Sequence, residues 1–325
     1  MKQITWFLLL AGIFQIGRAQ SSTTVYNRSN SILPSNEIMS LAIDPEGNKW
    51  IGTGAGLVKF DGNNWVRYDS SNSTLNNNPV QAIQVSSEGK IAVGCWGNIK
   101  GLNVFDGKTW TMHDGGRGFM VIQSIATDDQ GNIWFGSDSW DGGTGIGKYN
   151  QNEMIVYTEW DSKLPSNNIR AIACDPKGGI WLHCWKNGGL GLTHFDGKTW
   201  KTYTADNSGI PSNQISSLKM DNKGGLWIGT EAKGISYFNK GGWTNYSTKN
   251  AALASDSIST IAIDGAGVKW FGTANGKVVK FDGKTWTNYT LPNNNLPDNM
   301  VNSIVFDKDG ALWIGTTNGL VVMKP

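Results

Sequence analysis

Residues 38–53 read Ile38-Met39-Ser40-Leu41-Ala42-Ile43-Asp44-Pro45-Glu46-Gly47-Asn48-Lys49-Trp50-Ile51-Gly52-Thr53, and residues 56–68 continue Gly56-Leu57-Val58-Lys59-Phe60-Asp61-Gly62-Asn63-Asn64-Trp65-Val66-Arg67-Tyr68. The chain writes this phrase seven times. Aligning its second apolar block places Trp50, Ala92, Trp134, Trp181, Trp227, Trp270 and Trp313 in one column, 42 to 47 residues apart. A period of that length, made of short strands, is the mark of a propeller array. Most of the 16 tryptophans are therefore repeat structure, and function is to be sought where the repeat breaks.

One copy predicts one four-stranded blade. Ile38 to Ile43 is strand A, with large Leu41 and Ile43 on one face and small Ser40 and Ala42 on the other, because successive strand residues point to opposite faces. Ile83/Val85 against Ala82, Ile172/Cys174 against Ala171 and Ile261/Ile263 against Thr260 keep the division. Large-against-small faces let neighbouring blades interdigitate around a narrow centre. Asp44-Pro45-Glu46-Gly47 turns the chain, since Asp bonds the backbone two residues on and Gly accepts positive φ. Lys49 to Thr53 is strand B, Leu57 to Phe60 strand C, Asp61-Gly62 a tight turn and Trp65 to Tyr68 the outer strand D. The seventh copy, from Val301, stops after strand C, and Thr24-Val25-Tyr26 at the other end supplies the missing strand. The fold expected for residues 20–325 is one all-β domain, a seven-bladed β-propeller with four-stranded antiparallel blades. The N-terminal strand closes the ring and removes the open edge.

Met1 to Ala19 reads as a signal peptide: basic Lys2, an apolar run from Ile4 to Gly12 and a small residue before the cut. The apolar run is too short for a membrane span. The mature chain is expected to be exported, to the periplasm or beyond, without membrane insertion. Losing Lys2 and Arg18 leaves 26 basic against 26 acidic residues, which argues against nucleic acid as a partner. The 42 glycines and 17% charged residues suit a turn-rich β protein. Cys174 and Cys184 lie on adjacent strands but out of register, and Cys95 sits two blades away, so three small buried residues are expected rather than a disulfide. No clustered metal ligands, phosphate cradle or nucleophile elbow is present, and no cofactor or metal is expected.

The phrase Asp-x-x-Gly-x-x-Trp-Ile-Gly-Thr, then Gly-Leu, then Phe-Asp-Gly-x-x-Trp-x-x-Tyr, joined by Leu-Pro-Ser-Asn linkers such as Leu164 to Asn167, resembles the two-component regulator propeller repeat. The likeness runs through the whole mature chain. In that family paired propellers, followed by an immunoglobulin-like domain, belong to periplasmic sensors of hybrid histidine kinases that respond to glycan breakdown products. The resemblance implies the fold and a ligand of that type, here in a stand-alone form without a kinase. Virginiamycin-lyase propellers share the phrase from Asp128 to Trp134 but lack the Phe-Asp-Gly phrase, and rank lower.

The repeat breaks on one face. The B–C and D–A loops open together at one end of a propeller, and four blades keep B–C loops as short as Thr53-Gly54-Ala55-Gly56. Blades 2, 3 and 4 extend that loop and each places a tryptophan in it: Trp96, Trp140 and Trp185. Adjacent D–A loops add Arg117 and Trp160. With Asp138, Asp141, Lys186, Asn187 and Arg170 they make a candidate groove of flat aromatics among polar groups, suited to sugar rings or to a protein interface. The second residues of strand A (Met39, Gln81, Gln123, Arg170, Ser216, Ser259 and Asn302) are expected to line the channel mouth, with Arg170 in a salt bridge to a loop acid. The function expected is a non-catalytic binding module for an oligosaccharide or an envelope protein. The alternative is a polysaccharide lyase acting on uronate-containing glycans, with His183 as base and Arg170 neutralising the carboxylate.

Overall fold

In a computed structural model of the protein, the described residues are 23–75, 79–97, 101–114, 116, 118–119, 121–139, 142–150, 153–291 and 299–324. The leader expected at residues 1–19 lies outside them. Seven four-stranded antiparallel sheets follow one another around a ring. In blade 1 strands A to D are Ile38–Ile43, Lys49–Thr53, Gly56–Phe60 and Trp65–Tyr68, each paired with the next. Strand A of every blade touches strand A of the next, and blade 7 meets blade 1. Strand Thr23–Tyr26 pairs antiparallel with Gly319–Met323 and completes blade 7, which is the predicted closure.

The repeated phrase is now explained residue by residue. The indole Nε1 of Trp50 donates to Asp44 Oδ2 at 2.8 Å, across the A–B turn. The same link joins Trp134 to Asp128, Trp227 to Asp221, Trp270 to Asp264 and Trp313 to Asp307 at 2.9–3.1 Å, and Trp181 to Asp175 at 3.3 Å. A buried N–H needs a partner, and the turn aspartate is that partner. Blade 2 has Ser86 where the others have Asp and Ala92 where they have Trp: the pair is lost together. In the C–D hairpin, Asp61 Oδ1 accepts from the backbone of Asn63 and Asn64 at 2.8 and 2.7 Å, while Phe60 stacks on its cross-strand partner Trp65 at 4.2 Å.

The core lies between blades rather than within them. Ala42, Trp50 and Leu57 pack against Val80 and Ile83 of blade 2, whereas Leu41, Ile51 and Val58 pack against Trp313 and Leu320 of blade 7. The strand B glycine sits at this seam. A Cβ on Gly136 would lie 2.5 Å from Ile169 of the next blade, so glycine lets the sheets close up.

Each strand A opens with a β-bulge at its second residue, which frees that residue from the ladder and re-aims its side chain. Three of them act as blade-to-blade ties rather than as channel lining: Ser216 donates to the Ile258 carbonyl, Ser259 to Val301 O at 2.5 Å and Asn302 to Ile38 O at 2.9 Å. The three cysteines are free, and Cys174 is paired with Ile180 rather than Cys184. Cys95 and Cys184 are buried, but Cys174 is only half-buried, because its position in strand A faces the axial channel.

Candidate functional site

Arg170 is the bulged second residue of blade 4, between Ile169 and Ala171. Freed from the ladder, its Nε donates to Asp138 Oδ2 in the B–C loop of blade 3 at 2.7 Å, the expected ion pair with a loop acid. Its guanidinium lies over the Trp185 ring, 3.7 Å from the centroid. A planar cation against an indole face gains both packing and electrostatic attraction. Trp185 is fixed at its backbone as well: its N–H donates to Asn168 O at 2.8 Å and its carbonyl accepts from Ser166 Oγ at 2.9 Å.

The contacts continue outward in both directions. Lys186 Nζ is 3.6 Å from Glu159 Oε2. Glu159 is held by Asn167, whose N–H donates to Glu159 Oε1 at 2.9 Å while the Asn167 carboxamide oxygen accepts from Glu159 N at 2.9 Å. The next residue, Trp160, is 81% exposed. On the other side, the Asp138 N–H donates to Val121 O at 3.2 Å, and Val121 bridges to Trp96, which is 49% exposed. Trp96, Asp138, Arg170, Trp185, Lys186 and Trp160 thus belong to one connected sector across blades 2 to 4. Asn187 is exposed at φ 48°, followed by Gly188 and Gly189 at φ 100° and 99°, a left-handed turn that Asn and Gly tolerate. Trp140, Asp141 and Arg117 lie outside the described residues.

Two sequence readings change. Arg170 is not a free carboxylate clamp, because Asp138 already neutralises it. His183 is not presented to the groove: it is fully buried, its Nδ1 is 3.0 Å from Gly191 O, and burial lowers its pKa to about 4. A general base must reach the proton it removes, and an enclosed imidazole does not. Glu159 is a member of the sector that the sequence reading passed over. The signal was present as an acid in one loop beside Lys186 in the next. Among the described residues, no three His, Cys, Asp or Glu side chains gather into a metal-binding group, and no helix is long and apolar enough to cross a membrane.

The model of the family described as two component regulator propeller matches residues 116–139, 163–186, 209–232 and 295–318. The second of these stretches contains Arg170 and Trp185. No curated protein matches the chain. Among solved structures, one described as the extracellular domain of a hybrid two component system from B. thetaiotaomicron has a TM-score of 0.77 at 21% identity, over 94% of this chain and 41% of that one. Virginiamycin B lyase from Staphylococcus aureus gives 0.73 at 13% identity, over 94% and 100%. PorZ, a surface component of the type-IX secretion system of Porphyromonas gingivalis, gives 0.68 at 17%, over 89% and 46%. The chain spans 41% of the length of the first of these, and at such identities the likeness is one of fold. Repeat phrase, blade count and family match agree: the chain belongs to the two-component regulator propeller repeat family.

Proposed function

We propose that this protein is an exported, non-catalytic binding module of the sensor type, which recognises an oligosaccharide through the loop face of blades 2 to 4. The observation that carries the reading is the exposure of Trp96 and Trp160 on one sector whose remaining members are tied to each other. Indole faces stack on the C–H faces of sugars, while Lys186, Glu159 and Asn187 at the rim offer hydrogen bonds to hydroxyls. A rigid scaffold that presents irregular loops is where binding residues concentrate. The similarity to an extracellular sensor domain supports the exported, sensor-like character without naming a ligand. The same exposed indoles also suit a protein interface, which is the competing occupant.

An array of neutral and uronate-containing oligosaccharides, followed by calorimetry on the hits, tests the reading. Binding that falls at least about ten-fold in Trp160→Ala and in Trp96→Ala, with folding intact, supports it. Unchanged affinity in both variants overturns it, as does an empty array alongside stoichiometric capture of one envelope protein. Because His183 is enclosed, no ultraviolet-absorbing unsaturated product is expected from uronate polymers. If such a product forms, and the His183→Ala variant abolishes it, the enzymatic reading replaces this one.

A further inference from the structure

The axial channel holds a second feature, remote from the loop sector. The fifth residues of the seven A strands form a ring: Ala42, Gln84, Ala126, Ala173, Lys219, Ala262 and Val305. Four alanines and a valine keep the centre open, and together with residues of the neighbouring positions they line a cavity of about 600 Å³. Strand A enters from the loop face, so this cavity lies towards the A–B turns, at the end away from Arg170. Its wall is aliphatic, for example Leu41, Ile83 and Ile261, interrupted by the hydroxyls of Thr127 and Ser303.

Lys219 is the charged side chain of that lining. Its side chain is solvent-accessible in the lumen and yet surrounded by the ring, which pushes its ammonium below the ordinary lysine pKa. No ion pair or hydrogen bond engages it among the described residues. Gln84, three blades away and so almost opposite, is occupied by Val85 O at 2.9 Å and Thr127 Oγ1. Cys174 in the same lining remains a neutral thiol, because burial raises its pKa. A cation enclosed without a counter-charge is costly, and a polar site of this size with one charge is a ligand-sized pocket.

We infer that the channel is a binding site for a small organic monocarboxylate, whose carboxylate pairs with Lys219 and whose apolar body lies along the aliphatic wall. A phosphate dianion fits less well, since it is normally held by several N–H donors or a guanidinium fork, and the strand A amides here are spent in the ladder.

The test is fluorine NMR of the folded protein with 4-fluorobenzoate, with 4-fluorobenzyl alcohol as the uncharged counterpart and inorganic phosphate as competitor. Lys219→Ala restores the residue that four other blades carry, so the variant keeps its fold, and Lys219→Arg keeps the charge. Saturable binding of the benzoate is expected, weakened at least ten-fold in Lys219→Ala and retained in Lys219→Arg. It should be indifferent to Trp160→Ala, which separates this site from the loop face. The inference falls if the benzoate does not saturate, if Lys219→Ala binds it equally, if the alcohol binds as tightly, or if phosphate displaces it at equal concentration.

Discussion

Arg170 and Trp185, fifteen positions apart in one blade, stack face to face at 3.7 Å while Asp138 of the neighbouring blade fixes the guanidinium from its edge. The bulge in strand A makes this possible by taking Arg170 out of the ladder. The three residues form a coupled unit. A double-mutant cycle of Arg170→Met and Asp138→Asn, read by denaturant unfolding, is expected to give a coupling of about 1 kcal/mol. Additive effects would show that the pair is a surface contact without energetic consequence.

The turn aspartates are expected to be worth more. Asp44→Ala removes the partner of the buried Trp50 indole, and an orphaned buried donor costs about 1–3 kcal/mol. Asp44→Asn, which keeps an acceptor oxygen, should cost less. Equal losses in the two variants, measured by urea unfolding, would mean that the turn and not the indole bond carries the energy.

Acid should weaken the fold through His183. Its pKa is about 4 in the folded protein against about 6.5 unfolded, so the unfolded chain binds the extra proton between these values. Stability therefore rises with pH across this window and is lost as pH falls from about 6.5 to 4, by about 3 kcal/mol in the limit. Burial also lowers His113 and His194, which adds the same sign. His183→Asn should flatten the slope of unfolding free energy between pH 4 and 6.5, whatever it does to stability at pH 7. An unchanged slope would refute the assignment.

The seam glycines predict a steric penalty. Gly136→Ala places a Cβ 2.5 Å from Ile169, and overpacking of this kind costs about 1–3 kcal/mol. A melting temperature unchanged from the parent would mean that blades 3 and 4 separate more easily than their packing indicates.

Ring closure is a further target. Deleting residues 23–26 uncovers strand Gly319–Met323 of blade 7, and an unpaired edge is a template for association. Lower thermal stability and concentration-dependent oligomers in size-exclusion chromatography are expected. A monomer as stable as the parent would show that closure does not depend on this strand.

Much of this architecture was legible because it is local. The spacing Asp-x-x-Gly-x-x-Trp encodes a turn, and it also encodes the Asp44–Trp50 bond, which went unread even though blade 2 loses both members at once. Trp96 and Trp160 were legible as departures from the repeat. His183 and Arg170 were misread in role, since a sequence shows a histidine beside a groove but not the backbone that encloses it. The second residues of strand A looked like channel lining because they are polar. Ser259 and Asn302 instead reach the carbonyl of the next blade, a contact fixed by the angle between sheets.

The sequence alone determined the number of blades, the strands and turns of each, and the segment that closes the ring, because hydrophobic alternation, turn chemistry and repeat spacing act over a few dozen residues. Only the tertiary structure decided that Arg170 is neutralised by Asp138 of another blade, that the imidazole of His183 is sealed, and that Lys219 stands without a counter-charge among alanines. Those relationships join residues of different blades, and the rotation from one sheet to the next, rather than any spacing along the chain, sets which side chains meet.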